Sequence, residues 1–536
     1  MIDMKKAIPV IVITFFSFLA GFLLLQPGLP PTHDGEYHII RFYEFDKELR
    51  SGQWYPRWAQ DLNNGYGVPL FNYVYPLPNY VASFLHAFGV SFIDAFKINM
   101  FLALVLGTCF MYLWARLYFG TFGGILSAVF YTYAPYHLLD IYIRGSAGEV
   151  WALAFFPAFL WSVTKLLKEK TMLCLPLSSI FFALVIFSHN ILAYLFFPFA
   201  AAYMLFLVVQ ERKKLSAVLD VFLTLLLGFG LSSIFWVPAL LERSYVRGLE
   251  IFNYQLHFVE LYQLIFPSWG SGFSADATTE GLSFQIGMAN IVALFVCFFL
   301  LWRRRKTTKV LHICLFMIIW LVAAIFIMFP FALFIWKSIP LIQYTQFPWR
   351  FLSLVILCVS FLAGSIAYLK PGKVFFLIFL VLPFLTTIGY TKPAYYHMRD
   401  DNYYISRSNF IDGTNSPGNV FNTIWFDTSL PKNDALSFDK GNATIINIAY
   451  FPGWQVFVNR KSVEAKVNKY GLIEIGKVGE NDTIEAKFLD TAPRTIGKLL
   501  SGLSLLSLLL MLFNFSVHHG IISLELMRRK LLPNVW

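Results

Sequence analysis

Apolar runs of about 18 residues or more recur along this chain, and each is long enough to cross a hydrocarbon layer of roughly 30 Å as a helix. A backbone in lipid must satisfy its own hydrogen bonds, so runs of this kind are confined to helices. Twelve can be placed, near residues 7–26, 95–115, 122–138, 149–166, 173–189, 191–209, 216–240, 285–302, 309–330, 349–369, 374–390 and 496–514. The polar surface of a soluble protein is correspondingly scarce. Only 14% of the 536 residues are charged and 57% are hydrophobic, whereas soluble domains carry about 25% charged residues.

Basic residues cluster at alternate ends of these runs, and that pattern orients the chain. Lys5-Lys6, Lys165 with Lys168 and Lys170, Arg212-Lys-Lys214, Arg303-Arg-Arg-Lys306, Lys370 with Lys373, and Arg528-Arg-Lys530 all fit one arrangement. Both termini then lie in the cytoplasm, and segments 27–93, 241–284 and 391–495 lie outside a bacterial-type plasma membrane. The clusters also account for the net charge of +11, which makes nucleic-acid binding the weaker reading and the lipid bilayer the obligatory partner. No A-x-A-like cleavage site follows the first run, which reads as a retained helix. Cysteines 109, 174, 297, 314 and 358 all fall inside apolar runs without metal-ligand or disulfide spacing, and read as small packing residues.

Residues 391–495 break the pattern. Ala443-Thr-Ile-Ile-Asn-Ile-Ala-Tyr450, Trp454-Gln-Val-Phe-Val458 and Thr483-Ile-Glu-Ala-Lys-Phe488 are β-branched or alternating runs. Turn signals at Pro452-Gly453, Asn459-Arg460 and Gly479-Glu-Asn-Asp482 separate them. The expected fold is a polytopic α-helical membrane protein of about twelve transmembrane helices with a small extracytoplasmic β-sandwich-like domain. Its parts are a membrane module at 1–390, the β-rich domain at 391–495, and a last helix with a cytoplasmic tail at 496–536.

The segment after the first run concentrates chemistry. In Pro31-Thr-His-Asp-Gly-Glu-Tyr-His38, the residues His33, Asp34, Glu36 and His38 stand at the membrane–water boundary. Helical spacing puts Asp34, His38 and Arg41 on one side. A carboxylate there can take a proton from an acceptor hydroxyl, and ionisable groups at that depth mark function. The alternative is that these charges cap a juxtamembrane helix. Two histidines and two carboxylates within six positions also make His33, Asp34, Glu36 and His38 a candidate site for a divalent metal ion. Further on, Trp54-Tyr-Pro-Arg57-Trp58 and Asn63-Asn-Gly-Tyr-Gly-Val-Pro-Leu-Phe-Asn72 are rich in aromatics, which suit either the headgroup belt or stacking on sugar rings. Arg57, Arg144 and Arg350 can bind phosphate through paired N–H groups, and each can also snorkel to the interface. His189, between two runs with almost no loop, is either a structural or a binding histidine.

In these motifs the chain resembles the GT-C superfamily of polyprenyl-phosphate-dependent glycosyltransferases. It is most similar to bacterial membrane proteins labelled "6-pyruvoyl-tetrahydropterin synthase-related". The carrying residues are His33-Asp-Gly-Glu-Tyr-His38, Pro56-Arg-Trp58, Gly65-Tyr-Gly-Val-Pro-Leu-Phe71, Ser188-His-Asn190 and Phe347-Pro-Trp-Arg350, within roughly 25–350. Tyr450-Phe-Pro-Gly-Trp-Gln-Val-Phe-Val-Asn-Arg-Lys461 is similar to the C-terminal domain of YfhO-like membrane proteins. No three-histidine ligand set supports pterin chemistry. The resemblance implies a sugar transferase of inverting mechanism, whose donor is a polyprenyl-phosphate-linked sugar and whose acceptor is a glycan, lipid or protein. Asp34 matches the superfamily's first-loop acid best and Glu36 second, with His38, Arg57, Arg144, His189 and Arg350 as substrate- or phosphate-binding residues. The rival expectations are a lipid-linked glycan transporter or flippase, and a non-enzymatic envelope assembly protein.

Overall fold

The computed structural model describes residues 4–531 apart from 172, 250–252, 275–280, 304–307, 369–371, 407–419, 434–436 and 441–442. The basic residues Arg304, Arg305, Lys306 and Lys370 therefore lie outside the described residues. Among the described residues, nine helices are long and apolar enough to cross a membrane. One of them, Phe92–Thr132, runs for 41 residues and breaks at Gly120, where φ is 73°, so it supplies two of the expected spans. Cys174–Ser188 and Met288–Phe299 are shorter apolar helices at two further expected positions. All twelve apolar runs are thus helical. The second half of Phe92–Thr132 stops short of residue 138 because Pro135 cannot continue the hydrogen-bond ladder. It opens a short helix, Pro135–Leu139, instead.

Two helices are enclosed far more than the rest. Ala147–Glu169 and Pro348–Ala367 are each 89% buried, while the last span is 17% buried. Both pack on Phe92–Thr132, and their N-terminal ends bring Glu149 and Arg350 to the same place. A charged residue at the start of the most enclosed helices needs a partner there.

The β-rich region forms seven strands: β1 Ser437–Lys440, β2 Ala443–Ala449, β3 Trp454–Val458, β4 Lys461–Val463, β5 Lys466–Val467, β6 Leu472–Gly476 and β7 Ile484–Phe488. They make two antiparallel sheets, ordered β1-β2-β6-β5 and β4-β3-β7. Their shared core takes in Ile446, Ile448, Phe451, Val456 and Ile473, and also Trp58, Tyr66 and Tyr73 from the segment after the first helix. Backbone bonds run across as well, from Ala449 N–H to the Tyr66 carbonyl and from Asn433 N–H to the Asn64 carbonyl. The two regions therefore share one core.

A buried polar joint fastens them to the helices. Arg494, near the start of the last helix, donates to Glu242 through Nε at 3.1 Å, to the Leu489 carbonyl at 3.0 Å and to the Pro452 carbonyl at 2.8 Å. Glu242 also accepts from Asn72 at 2.9 Å and from Thr491.

Candidate functional site

The site begins with a backbone seam. His33 N–H donates to the Ile143 carbonyl and Asp34 N–H to the Arg144 carbonyl, both at 2.9 Å. Such close passage of two main chains leaves no room for a side chain at Gly145, where a Cβ would lie 2.3 Å from Thr32 Oγ1 and where φ is +64°, a conformation that favours glycine. The turn that carries Arg144 is a single π-helical turn, Asp140–Arg144, of the kind that often accompanies function. Asp34 precedes the Gly35–Arg50 helix and is half-buried.

Behind the seam lies a buried cluster of two arginines and two carboxylates. Arg144 Nη1 donates to Asp140 Oδ1 at 2.5 Å and to Glu149 Oε2 at 2.6 Å, and Nη2 donates to Glu149 Oε1 at 2.7 Å. Arg350 Nε donates to the same Glu149 Oε1 at 3.1 Å, and the Tyr136 hydroxyl donates to Oε2 at 3.1 Å. His189 Nε2 stands 3.9 Å from Glu149. Its Nδ1 accepts from Leu192 N–H, so Nε2 carries the proton that faces the carboxylate. Asp140 and Glu149 are fully buried, and Arg144 and Arg350 are nearly so. Two guanidinium groups face two carboxyl groups in this cluster, and such pairing is how charge persists away from water.

Tyr75 joins the cluster to Asp34. Its ring centroid lies 5.0 Å from that of His189. Burial pushes its phenol up to about 12, with Arg41 acting against the shift and Asp34, then Glu149, adding to it. His38, one turn after Asp34, is buried against Phe96 and Phe42. Burial holds its imidazole well below the usual range, and Arg41 and His189 push it the same way, so His38 is neutral at pH 7. The structure thus gathers Arg144, His189 and Arg350 around Glu149, with Tyr75 against His189 and the segment of Asp34 and His38 joined to the Arg144 backbone beside them.

Three expected members stand elsewhere. Glu36 points away from the Asp34–His38 face, as helical spacing requires, and lies within electrostatic reach of Tyr404. His33 hydrogen-bonds the Ser271 carbonyl at 2.9 Å and stacks on Phe273. The candidate metal site of His33, Asp34, Glu36 and His38 is therefore dispersed, and among the described residues no three His, Cys, Asp or Glu side chains gather to hold an ion. Arg57 has partners of its own, separate from those of Arg144 and Arg350. It donates to Asn72 Oδ1 at 2.9 Å and the Ile234 carbonyl at 3.0 Å, where it belongs to the joint around Glu242 rather than to the site.

Glu149 is the organising residue that sequence reasoning left out. Its only signal was an acid inside the first turn of an otherwise apolar span, five residues after an arginine, and such an acid also reads as a helix-dipole partner.

Residues 71–394 match the family described as 6-pyruvoyl-tetrahydropterin synthase related domain, a membrane protein. That stretch is more than half of the 536 residues. The chain belongs to this family. The match covers Arg144, Glu149, His189 and Arg350, while the Asp34 segment precedes it. Among solved structures, this family member is similar to ArnT from Cupriavidus metallidurans, crystallised bound to undecaprenyl phosphate. The two are 14% identical with a TM-score of 0.40 over 68% of this chain, which spans 60% of the length of the ArnT chain. No curated protein matches the sequence.

Proposed function

We propose that this protein transfers a sugar from a polyprenyl-phosphate-linked donor to a glycan, lipid or protein acceptor on the outer face of the membrane. The observation that carries the reading is the seam, which sets a half-exposed carboxylate, Asp34, against a turn whose arginine is already fixed. Asp34 would take the proton of the acceptor hydroxyl as its oxygen bonds to the anomeric carbon. The bond from that carbon to the lipid phosphate breaks, and the phosphate oxygen keeps the electron pair. Arg144 and Arg350 would stabilise the charge developing there, and they are held in place before the reaction rather than reorganised during it. Glu36, within electrostatic reach of Tyr404, would contact the acceptor rather than take its proton. The β-rich domain, which shares a core with the segment after the first helix, would help to hold the acceptor. The outer-face assignment rests on the basic clusters.

A lipid-linked glycan transporter is the second reading, favoured by buried charges at a break between helices. Mass spectrometry of lipid-linked and surface glycans in a deletion strain separates the two. A transferase mutant loses one sugar from the acceptor glycan while its lipid-linked donor builds up. A transporter mutant retains an unchanged, complete lipid-linked glycan on the inner face.

A further inference from the structure

Most of the donor capacity of Arg144 and Arg350 is used inside the protein. Arg144 commits both Nη groups to Asp140 and Glu149. Arg350 commits Nε to Glu149 and Nη1 to the Thr345 carbonyl and the Gln346 side chain. Trp349 lies against both guanidinium groups, its ring centroid 4.8 Å from the Arg144 Cζ and 5.9 Å from the Arg350 Cζ. It is 3% exposed. Stacking on Phe347, at 4.9 Å and 13°, and on Phe284, at 6.0 Å and 29°, holds the ring in place. Its indole Nε1–H nevertheless has no hydrogen-bond partner among the described residues. An indole N–H can only donate, and a buried donor without an acceptor is a cost that native proteins rarely carry without a reason. Glu149 receives four N–H or O–H groups, while Asp140 Oδ2 and Thr32 Oγ1 are, like the Trp349 indole, buried without a partner among the described residues.

We propose that Trp349 is a ligand of the phosphate group, its Nε1–H donating to a phosphoester oxygen beside Arg144 and Arg350. This deepens the preceding reading, on which its lipid source rests. An oxyanion beside two arginines is the acceptor this donor lacks, and the aromatic ring gives both guanidinium groups a flat surface to lie on. The chemistry recognised is that of a phosphate monoester or diester, whether it arrives on a lipid or free in solution.

The test is Trp349→Phe, which keeps a ring in the stack and removes the N–H. Affinity is measured on the full chain in detergent with two probes, a polyprenyl phosphate and inorganic phosphate. A hydrogen bond to a charged group corresponds to about a ten- to hundredfold loss of affinity. Thermal stability without ligand should hold or rise, because the variant removes an unpaired donor. If Trp349→Phe fails to fold, the benzothienyl analogue of tryptophan, with sulfur in place of N–H, reads the same contact. Weaker binding of both probes supports the ligand and the lipid source together. Weakened binding of inorganic phosphate by a protein that ignores polyprenyl phosphate keeps Trp349 as a ligand and removes the lipid reading. Equal affinities in wild type and variant, or no binding of either probe by wild type, overturn the proposal.

Discussion

Replacing Glu149 by Gln keeps the shape of the side chain and removes its charge. Glu149 accepts two N–H groups from Arg144, one N–H from Arg350 and the O–H of Tyr136. Without its charge, two buried guanidinium groups share Asp140, which accepts only one bond from Arg144 and none from Arg350. Removing one partner of a buried ion pair costs about 3–5 kcal/mol, a large part of a typical stability of about 5–15 kcal/mol. At roughly 2 °C per kcal/mol for a long chain, Tm in detergent should fall by about 6–10 °C. Asp140→Asn should fall less, since a single bond depends on it. Glu464→Gln is the control, because its pair with Lys466 is 78% and 68% exposed and exposed pairs contribute little. The assay is thermal unfolding followed by fluorescence for all three variants side by side. An unchanged Tm for Glu149→Gln would show that the arginines do not depend on this carboxylate, and the account of the cluster would be wrong.

Glu44 on the Gly35–Arg50 helix is fully buried with Oε1 unpaired, and burial, aided by Asp61, pushes its carboxyl from 4.5 up to about 8. A raised folded value means that the stabilisation is complete below about 4.5 and is lost as pH rises through about 8, so Tm should decline between about pH 5 and pH 9, and Glu44→Gln should flatten that decline. Gly453 has φ +111°, and a Cβ there would meet Arg494 Nη1 at 2.5 Å and the Leu489 carbonyl at 2.6 Å; Gly453→Ala should cost at least about 1–2 kcal/mol and loosen the β-rich region, read as faster limited proteolysis within residues 391–495.

The helices were legible because hydropathy and basic clusters report directly on the solvent, and lipid allows few backbone solutions. The break at Gly120 falls between the runs placed at 95–115 and 122–138, where Arg116 interrupts the apolar pattern. The strands at Ala443–Ala449, Trp454–Val458 and Ile484–Phe488 were visible in their alternation. Their shared core with Trp58, Tyr66 and Tyr73 was not, because aromatics suit a headgroup belt as well as a domain interface. Local spacing separated Asp34 from Glu36, which lie about 200° apart around a helix. Arg57 was misplaced for the opposite reason. An arginine near the interface looks the same whether it meets a phosphate or, as here, Asn72 and the Ile234 carbonyl. Glu149 depends on contacts with Arg350, 201 positions away, and nothing local in the sequence records them.

The most direct test of the proposed chemistry is release of polyprenyl phosphate by the purified protein in nanodiscs, with a panel of polyprenyl-phosphate-linked sugars and extracted envelope acceptors, for wild type and Asp34→Asn. If Asp34 is the base, the substitution should slow release by about 100- to 10,000-fold and leave donor affinity and Tm nearly unchanged, with Glu36→Gln milder. Near-normal release by the double Asp34→Asn, Glu36→Gln variant would contradict the assignment of this segment as the catalytic centre. No release by wild type with any donor in the panel would move the transporter reading ahead.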